Sequence, residues 1–186
     1  MDICNNNNSI QLPNPITQIA DMPYPLYLSL QGKYFVGYAD NMEFGDDTTA
    51  WAGLINPYNS GVNLHVYVWT VTNIGQSLLL AQFWFNSHAP GYPIKSELLT
   101  PANTALIPLP KPRIKLLQAN DVTGEFIGGD RVYTNKVVPE VTVARDVQGT
   151  YIFPPGGSFI VALSNPEASA ELGQGRVAFG WSEEPI

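Results

Sequence analysis

From Lys33 onward the chain is a succession of short apolar runs, each closed by Gly, Pro or Asn. Tyr34–Tyr38 is the first. Ala50–Ile55 is the next, ended by the turn residues Asn56-Pro57-Tyr58-Asn59-Ser60-Gly61. Val62–Thr72 follows, rich in the Val, Tyr, Trp and Thr side chains that fit a pleated surface. Asn73-Ile74-Gly75-Gln76 reads as a turn into Ser77–Phe85, so these two runs are expected to pair as a hairpin. Ile94–Leu99, Arg113–Leu117, Arg131–Val138, Thr150–Phe153, Phe159–Leu163 and Arg176–Trp181 complete the series. No stretch of ten or more residues keeps a 3.6-residue period, so the pattern predicts no helix. Many short strands with turn chemistry between them predict an all-β fold, a jelly-roll-like antiparallel β-sandwich over residues 29–186. Pro101, Pro108, Pro110 and Pro112 keep the segment 101–112 out of any central strand, and it is expected as an extended crossover between sheets.

Residues 1–28 have a different character and read as an extended N-terminal arm. Asn5–Asn8 is a polar tract, and Pro13, Pro15, Pro23 and Pro25 favour extended or polyproline geometry over a helix. Yet Ile10, Leu12, Ile16, Ile19, Met22, Tyr24, Leu26, Tyr27 and Leu28 are apolar, which a solvated tail is not. The arm is expected to lie on something. Cys4, the single cysteine, excludes an internal disulfide. It is either an inert thiol on the arm or a partner for an intermolecular disulfide.

Composition narrows the function classes. Across 186 residues the hydrophobic fraction is 45%, which is ordinary, but the charged fraction is only 13% against about 25% in typical domains. A surface poor in charge loses little on dehydration, which suits protein–protein contact or sugar binding. The net charge of −7 offers no basic stripe for nucleic acid and no attraction to an anionic membrane. No window approaches the ~18 apolar residues of a spanning helix. The start Met1-Asp2-Ile3-Cys4 lacks the basic and apolar regions of a signal peptide, so synthesis in the cytoplasm is expected, with any cell-surface location reached after release by lysis or a non-Sec route.

Groups able to perform catalysis are sparse. His65 and His88, the two histidines, sit in neither an H-x-H nor an H-E-x-x-H pattern. They would approach each other only if the two runs beside them form the expected hairpin. There is no G-x-S-x-G elbow, phosphate-binding loop or dinucleotide fingerprint. Gly156-Gly157 after Pro154-Pro155 reads as a tight turn before a strand. Asp40, Glu43, Asp46 and Asp47 read as a solvated loop around Gly45, since Met42 and Phe44 occupy places where calcium ligands would stand. Glu183 and Glu184, adjacent on a strand, point to opposite faces and cannot flank one glycosidic bond. No catalytic residue, metal site or cofactor is expected.

The aromatics lie mostly in strand-like runs such as Gln82-Phe83-Trp84-Phe85, where successive side chains alternate faces. One face fills the core. Tyr67, Trp69 and Trp84 are candidates for the other face, free to stack on a sugar or pack on a neighbour. Apolar residues on both faces of a strand require a second cover: the arm, a loop or another subunit.

Several stretches carry a resemblance: Gly32-Lys33-Tyr34-Phe35-Val36-Gly37, Ala50-Trp51-Ala52-Gly53-Leu54-Ile55-Asn56-Pro57, Ser60-Gly61-Val62-Asn63-Leu64, Pro154-Pro155-Gly156-Gly157-Ser158-Phe159 and Phe179-Gly180-Trp181-Ser182-Glu183-Glu184. Over about residues 23–186 the chain resembles an uncharacterised protein family of spore-forming Firmicutes. Its layout is also similar to jelly-roll endospore appendage subunits, whose short Cys-bearing N-terminal connector docks into the next subunit. Here Cys4 alone matches that connector. The apolar, Pro-rich arm, the low charge and the sparse catalytic groups lead to the expectation of a non-enzymatic, self-assembling structural subunit with Cys4, Ile10, Leu12, Ile16, Ile19, Tyr24 and Leu26 in the assembly arm, and copies of itself as partners. The alternative is a carbohydrate- or receptor-binding module.

Overall fold

The computed structural model describes residues 21–45, 47–165 and 172–186. One short helix, α1 (Tyr24–Leu30), precedes eleven strands: β1 (Tyr34–Phe44), β2 (Thr49–Ile55), β3 (Val62–Asn73), β4 (Leu79–Phe85), β5 (Ile94–Lys95), β6 (Leu99–Pro101), β7 (Lys115–Val122), β8 (Asp130–Val137), β9 (Thr142–Phe153), β10 (Ser158–Ser164) and β11 (Gly173–Pro185). They form a five-stranded sheet in the order β6-β1-β11-β3-β9 and a six-stranded sheet in the order β5-β7-β2-β10-β4-β8. All pairings are antiparallel. Without β5, β6 and β7, the two sheets read β1-β11-β3-β9 and β2-β10-β4-β8, which is the jelly roll.

The core lies between the sheets. Phe35, Trp69, Val71, Val177, Phe179 and Trp181 face Leu54, Phe83, Phe159, Val161 and Leu163. The inserted chain 86–129, between β4 and β8, places β6 beside β1 and β7 beside β2. The Pro-rich segment runs between β6 in one sheet and β7 in the other, the crossover its prolines require.

The expected hairpin does not form. β3 pairs with β11 and β9, while β4 pairs with β10 and β8 in the opposite sheet. Trp69 and Phe83 meet across the sandwich with ring centroids 4.4 Å apart. The turn crosses from sheet to sheet because its polar groups are claimed elsewhere. The Asn73 side chain donates to Ser77 O (2.8 Å) and to Val137 O (2.9 Å) and accepts from Gly75 N (3.0 Å). Ile74 N and Gly75 N donate to Gln174 O. His65 and His88 are thereby held apart: His65 lies between Ser182 and Ile152, and His88 forms a bridge with Ile127.

The arm also needs correcting in part. Residues 1–20, with Cys4, Ile10, Leu12, Ile16 and Ile19, lie outside the described residues. Tyr24 and Leu26, expected extended, are in α1. Pro23 is the N-cap and Pro25 falls in the first turn, where the missing N–H would have no intrahelical partner anyway. The helix is stopped by Gly32 at φ +70°. Lys33 N bonds Leu28 O and Gly32 N bonds Ser29 O, a Schellman closure.

Candidate functional site

Strand alternation assigns one face of β1, β11 and β3 to the core and leaves the other for something else. Val36 and Tyr38 of β1, Ala178 of β11 and Val68 and Thr70 of β3 line a cleft of about 520 Å³ on the outer face of the five-stranded sheet. Gly37 and Phe179 add to this floor, and Glu97, Leu98, Leu99 and Thr100, from the inserted chain, form its wall. The Leu98 carbonyl accepts from Tyr38 N (3.0 Å), and Leu99 and Thr100 register against Gly37 and Val36. Gly37 permits this approach, since a Cβ there would stand 2.8 Å from Leu99 Cβ. Apolar side chains gathered in a concavity make it a candidate interaction surface, which a lone exposed Leu or Val is not.

At one end of the same sheet sits α1. The Tyr24 hydroxyl donates to Glu184 Oε1 (3.2 Å), which places Glu184 on the outer face. Tyr34 and Tyr67 meet edge to face at 5.2 Å. Burial, then Tyr67 and Asp146, push the Tyr34 phenol up to about 12, so its hydroxyl stays protonated near pH 7. Only Leu28 of α1 is buried; Tyr24, Leu26, Tyr27 and Leu30 are 45–52% exposed.

Beside the cleft, Arg176 Nε and Nη2 donate to the two oxygens of Asp40 at 2.8 and 3.1 Å, and the guanidinium lies 5.7 Å from the Tyr38 ring centroid. Asp40 was expected in a solvated loop, and lies instead in β1, where a bulge between Ala39 and Met42 turns its carboxylate toward β11. The Arg176 bonds hold its carboxyl below the usual range. Stability from this pair is therefore present above the unfolded carboxyl's value and lost as pH falls through the lower folded one. Asp40→Asn should cost about 0.2–1 kcal/mol at neutral pH and flatten the pH dependence of thermal unfolding below about pH 4. An unchanged acid limb would remove the pair from the account.

The three aromatics expected on exposed faces behave otherwise. Trp69 is 1% exposed and in the core. A bulge at Tyr67, between the registered pairs of Val66 and Val68, shifts the alternation by one residue and turns Trp69 inward. Tyr67 points outward but is only 5% exposed, covered by Tyr34 and lying over Gly149, where a Cβ would come within 2.7 Å of its ring. Trp84 faces outward from the six-stranded sheet and is covered by the chain's own loop, stacked on Phe126 at 4.9 Å with Arg131 beyond it. The freely exposed aromatics are Tyr58 (83%) and Tyr92 (98%), both in turns. Tyr58, with Asn86, Ser87 and His88, lines a smaller cleft of about 250 Å³ whose apolar lining includes Trp51 and Ile160. Their signal in the sequence was position, since a Tyr beside Pro57 or Pro93 in a turn has no sheet face to pack on.

Glu183 is the buried charge that sequence reasoning left without a role. It projects inward at one end of the sandwich, 6% exposed. Arg113 N donates to both of its oxygens (3.0 and 2.9 Å), Ile114 N to one (3.0 Å) and Trp181 Nε1 to the same one (3.3 Å). Glu184 points the other way, as alternation requires. Among the described residues no group of three or more His, Cys, Asp or Glu is placed to hold a metal ion, and no helix is long and apolar enough to cross a membrane.

The chain belongs to a family of unknown function, DUF6143, whose model matches residues 4–186. No curated protein and no solved structure matches it.

Proposed function

We propose that the protein is a non-enzymatic structural subunit that assembles with copies of itself, with residues 1–28 docking on a neighbouring subunit. One observation carries the reading: α1, at the inner end of the arm, is apolar on nearly every side and buries only Leu28. An all-apolar helix on a surface calls for a cover. The low charge of the chain supports the same reading, because contact then dehydrates few ionised groups. A head-to-tail contact of this kind builds a filament unless its rotation closes into a ring. The resemblance to proteins of spore-forming bacteria supports a spore or cell surface as the place of assembly.

Deleting residues 1–22 leaves α1 intact and tests the reading. The full chain should elute as an oligomer and show particles or filaments by negative-stain microscopy, and the deletion should elute as a monomer. Identical elution and images for both proteins would sink the proposal.

The cleft beside Tyr58 favours a second reading, a carbohydrate- or receptor-binding module. An exposed ring there flanks polar side chains above an apolar floor, the combination that sugar faces require. A glycan array should then give hits that Tyr58→Ala abolishes, and an array without hits excludes the carbohydrate form of this reading.

A further inference from the structure

Resting on the assembly reading, we propose that the cleft on the outer face of the five-stranded sheet is the acceptor for the arm of a second copy, taking the side chains of Ile10, Leu12, Ile16 and Ile19. The two sheets differ in how their outer faces are covered. On the six-stranded sheet the chain closes its own face: Phe126 stacks on Trp84, Ala89 packs against the same cluster, and the Pro90 carbonyl accepts from Trp51 Nε1 at 2.8 Å. On the five-stranded sheet the cover is incomplete. α1 occupies one end and Leu98–Thr100 one side, and between them Val36, Tyr38, Val68 and Ala178 remain as an open apolar floor. Its volume of about 520 Å³ is within the ~300–1,000 Å³ of specific binding clefts.

The occupant is argued from chain that lies outside the described residues. Residues 1–20 lead into Asp21 and α1 on this same sheet face, and the only charged side chain among them is Asp2. Such a segment can enter an apolar cleft without stranding an ion there. Ile10 and Leu12, two apart, share one side of an extended chain. Pro13 and Pro15 restrict the free segment, so less entropy is lost when it docks. Its apolar side chains fill the cleft.

The test uses two variants of the full protein: one lacking residues 1–22, the other carrying Val36→Glu and Leu98→Glu. Both substituted side chains are exposed, at 38% and 45%, so each variant should keep the parent melting temperature closely, and this is measured first. Each variant alone should be monomeric by light scattering, and an equimolar mixture should form a 1:1 pair, because one contributes an open cleft and the other an intact arm. A synthetic peptide of residues 8–20 should bind the arm-deleted protein, and about tenfold or more weaker when that protein also carries the two glutamates. If arm deletion disperses the assembly but the glutamate variant still assembles like the parent, the cleft is not the acceptor and the assembly reading stands. If both variants are monomeric and their mixture stays so, docking in trans at this cleft is overturned. If arm deletion changes nothing, the assembly reading itself falls, and this inference with it.

Discussion

Glu183→Ala should destabilise the folded protein by about 3–5 kcal/mol, read as a fall in the urea midpoint with an unchanged slope. The carboxylate accepts from Arg113 N, Ile114 N and Trp181 Nε1, and alanine leaves all three donors without it at a buried place. Each stranded donor costs about 1–3 kcal/mol, and partial entry of water reduces the sum. Glu183→Gln retains one oxygen but turns an amide NH2, itself a donor, toward a backbone donor, so it should lose about 1–3 kcal/mol. Amide exchange at Arg113 and Ile114 should quicken in both variants, more in the alanine one. A loss under about 1 kcal/mol for alanine would reduce Glu183 to an ordinary surface charge.

The position of this carboxylate explains why a single charge has such leverage. Arg113 and Ile114 are where the Pro-rich crossover enters the six-stranded sheet at β7. Pro108, Pro110 and Pro112 have no N–H to offer, so this stretch has few backbone donors with which to anchor itself. Glu183, near the end of the last strand, collects the first two donors after the prolines and ties the inserted chain to the opposite sheet. The same insertion supplies Leu98–Thr100 to the cleft and Phe126 to the cover over Trp84. Loosening at Arg113 is therefore expected to weaken the wall of the proposed acceptor as well as the fold.

The sandwich was legible where both faces of a strand are apolar or where Gly and Pro mark its ends. Ala50–Ile55, Val62–Thr72 and Phe159–Leu163 match β2, β3 and β10 almost residue for residue. Polar strands escaped. β1 continues through Asp40, Asn41 and Glu43, and β9 begins at Thr142 with Arg145 and Asp146, because these lengths are bulged or sit at a sheet edge, where alternation breaks and polar side chains meet water. Pairing was less legible than strand location. Whether Asn73-Ile74-Gly75-Gln76 folds back within a sheet or crosses between sheets depends on carbonyls at Val137 and Gln174, far away in the chain. The helix was hidden by its prolines, although Gly32 after Leu30-Gln31 is the stop signal that could have exposed it. The cleft could not be read at all, since its floor comes from three strands and its wall from the insertion. Trp69 was misplaced by the one-residue bulge at Tyr67.

Phe159→Ala should lower stability by about 3–5 kcal/mol and lower the melting temperature accordingly, while leaving the proposed docking intact wherever the protein is still folded. Phe159 is fully buried on β10. Its ring faces Phe83 and Phe85 from β4 of its own sheet at 6.2 and 5.7 Å, and Phe153 and Phe179 from the opposite sheet at 6.1 and 5.9 Å. Removing it takes away contacts from both layers at once, and rings fixed on two hydrogen-bonded sheets cannot collapse far into the space left behind. The cleft draws on the other face of β1, β11 and β3, with Phe179 and the partly buried Leu99 common to its lining and the core. At temperatures well below its melting transition, Phe159→Ala should therefore assemble with the arm-dependence of the parent. Loss of assembly by a folded Phe159→Ala protein would mean that the two faces of the five-stranded sheet are coupled, and that the shape of the cleft is set by the aromatic core beneath it.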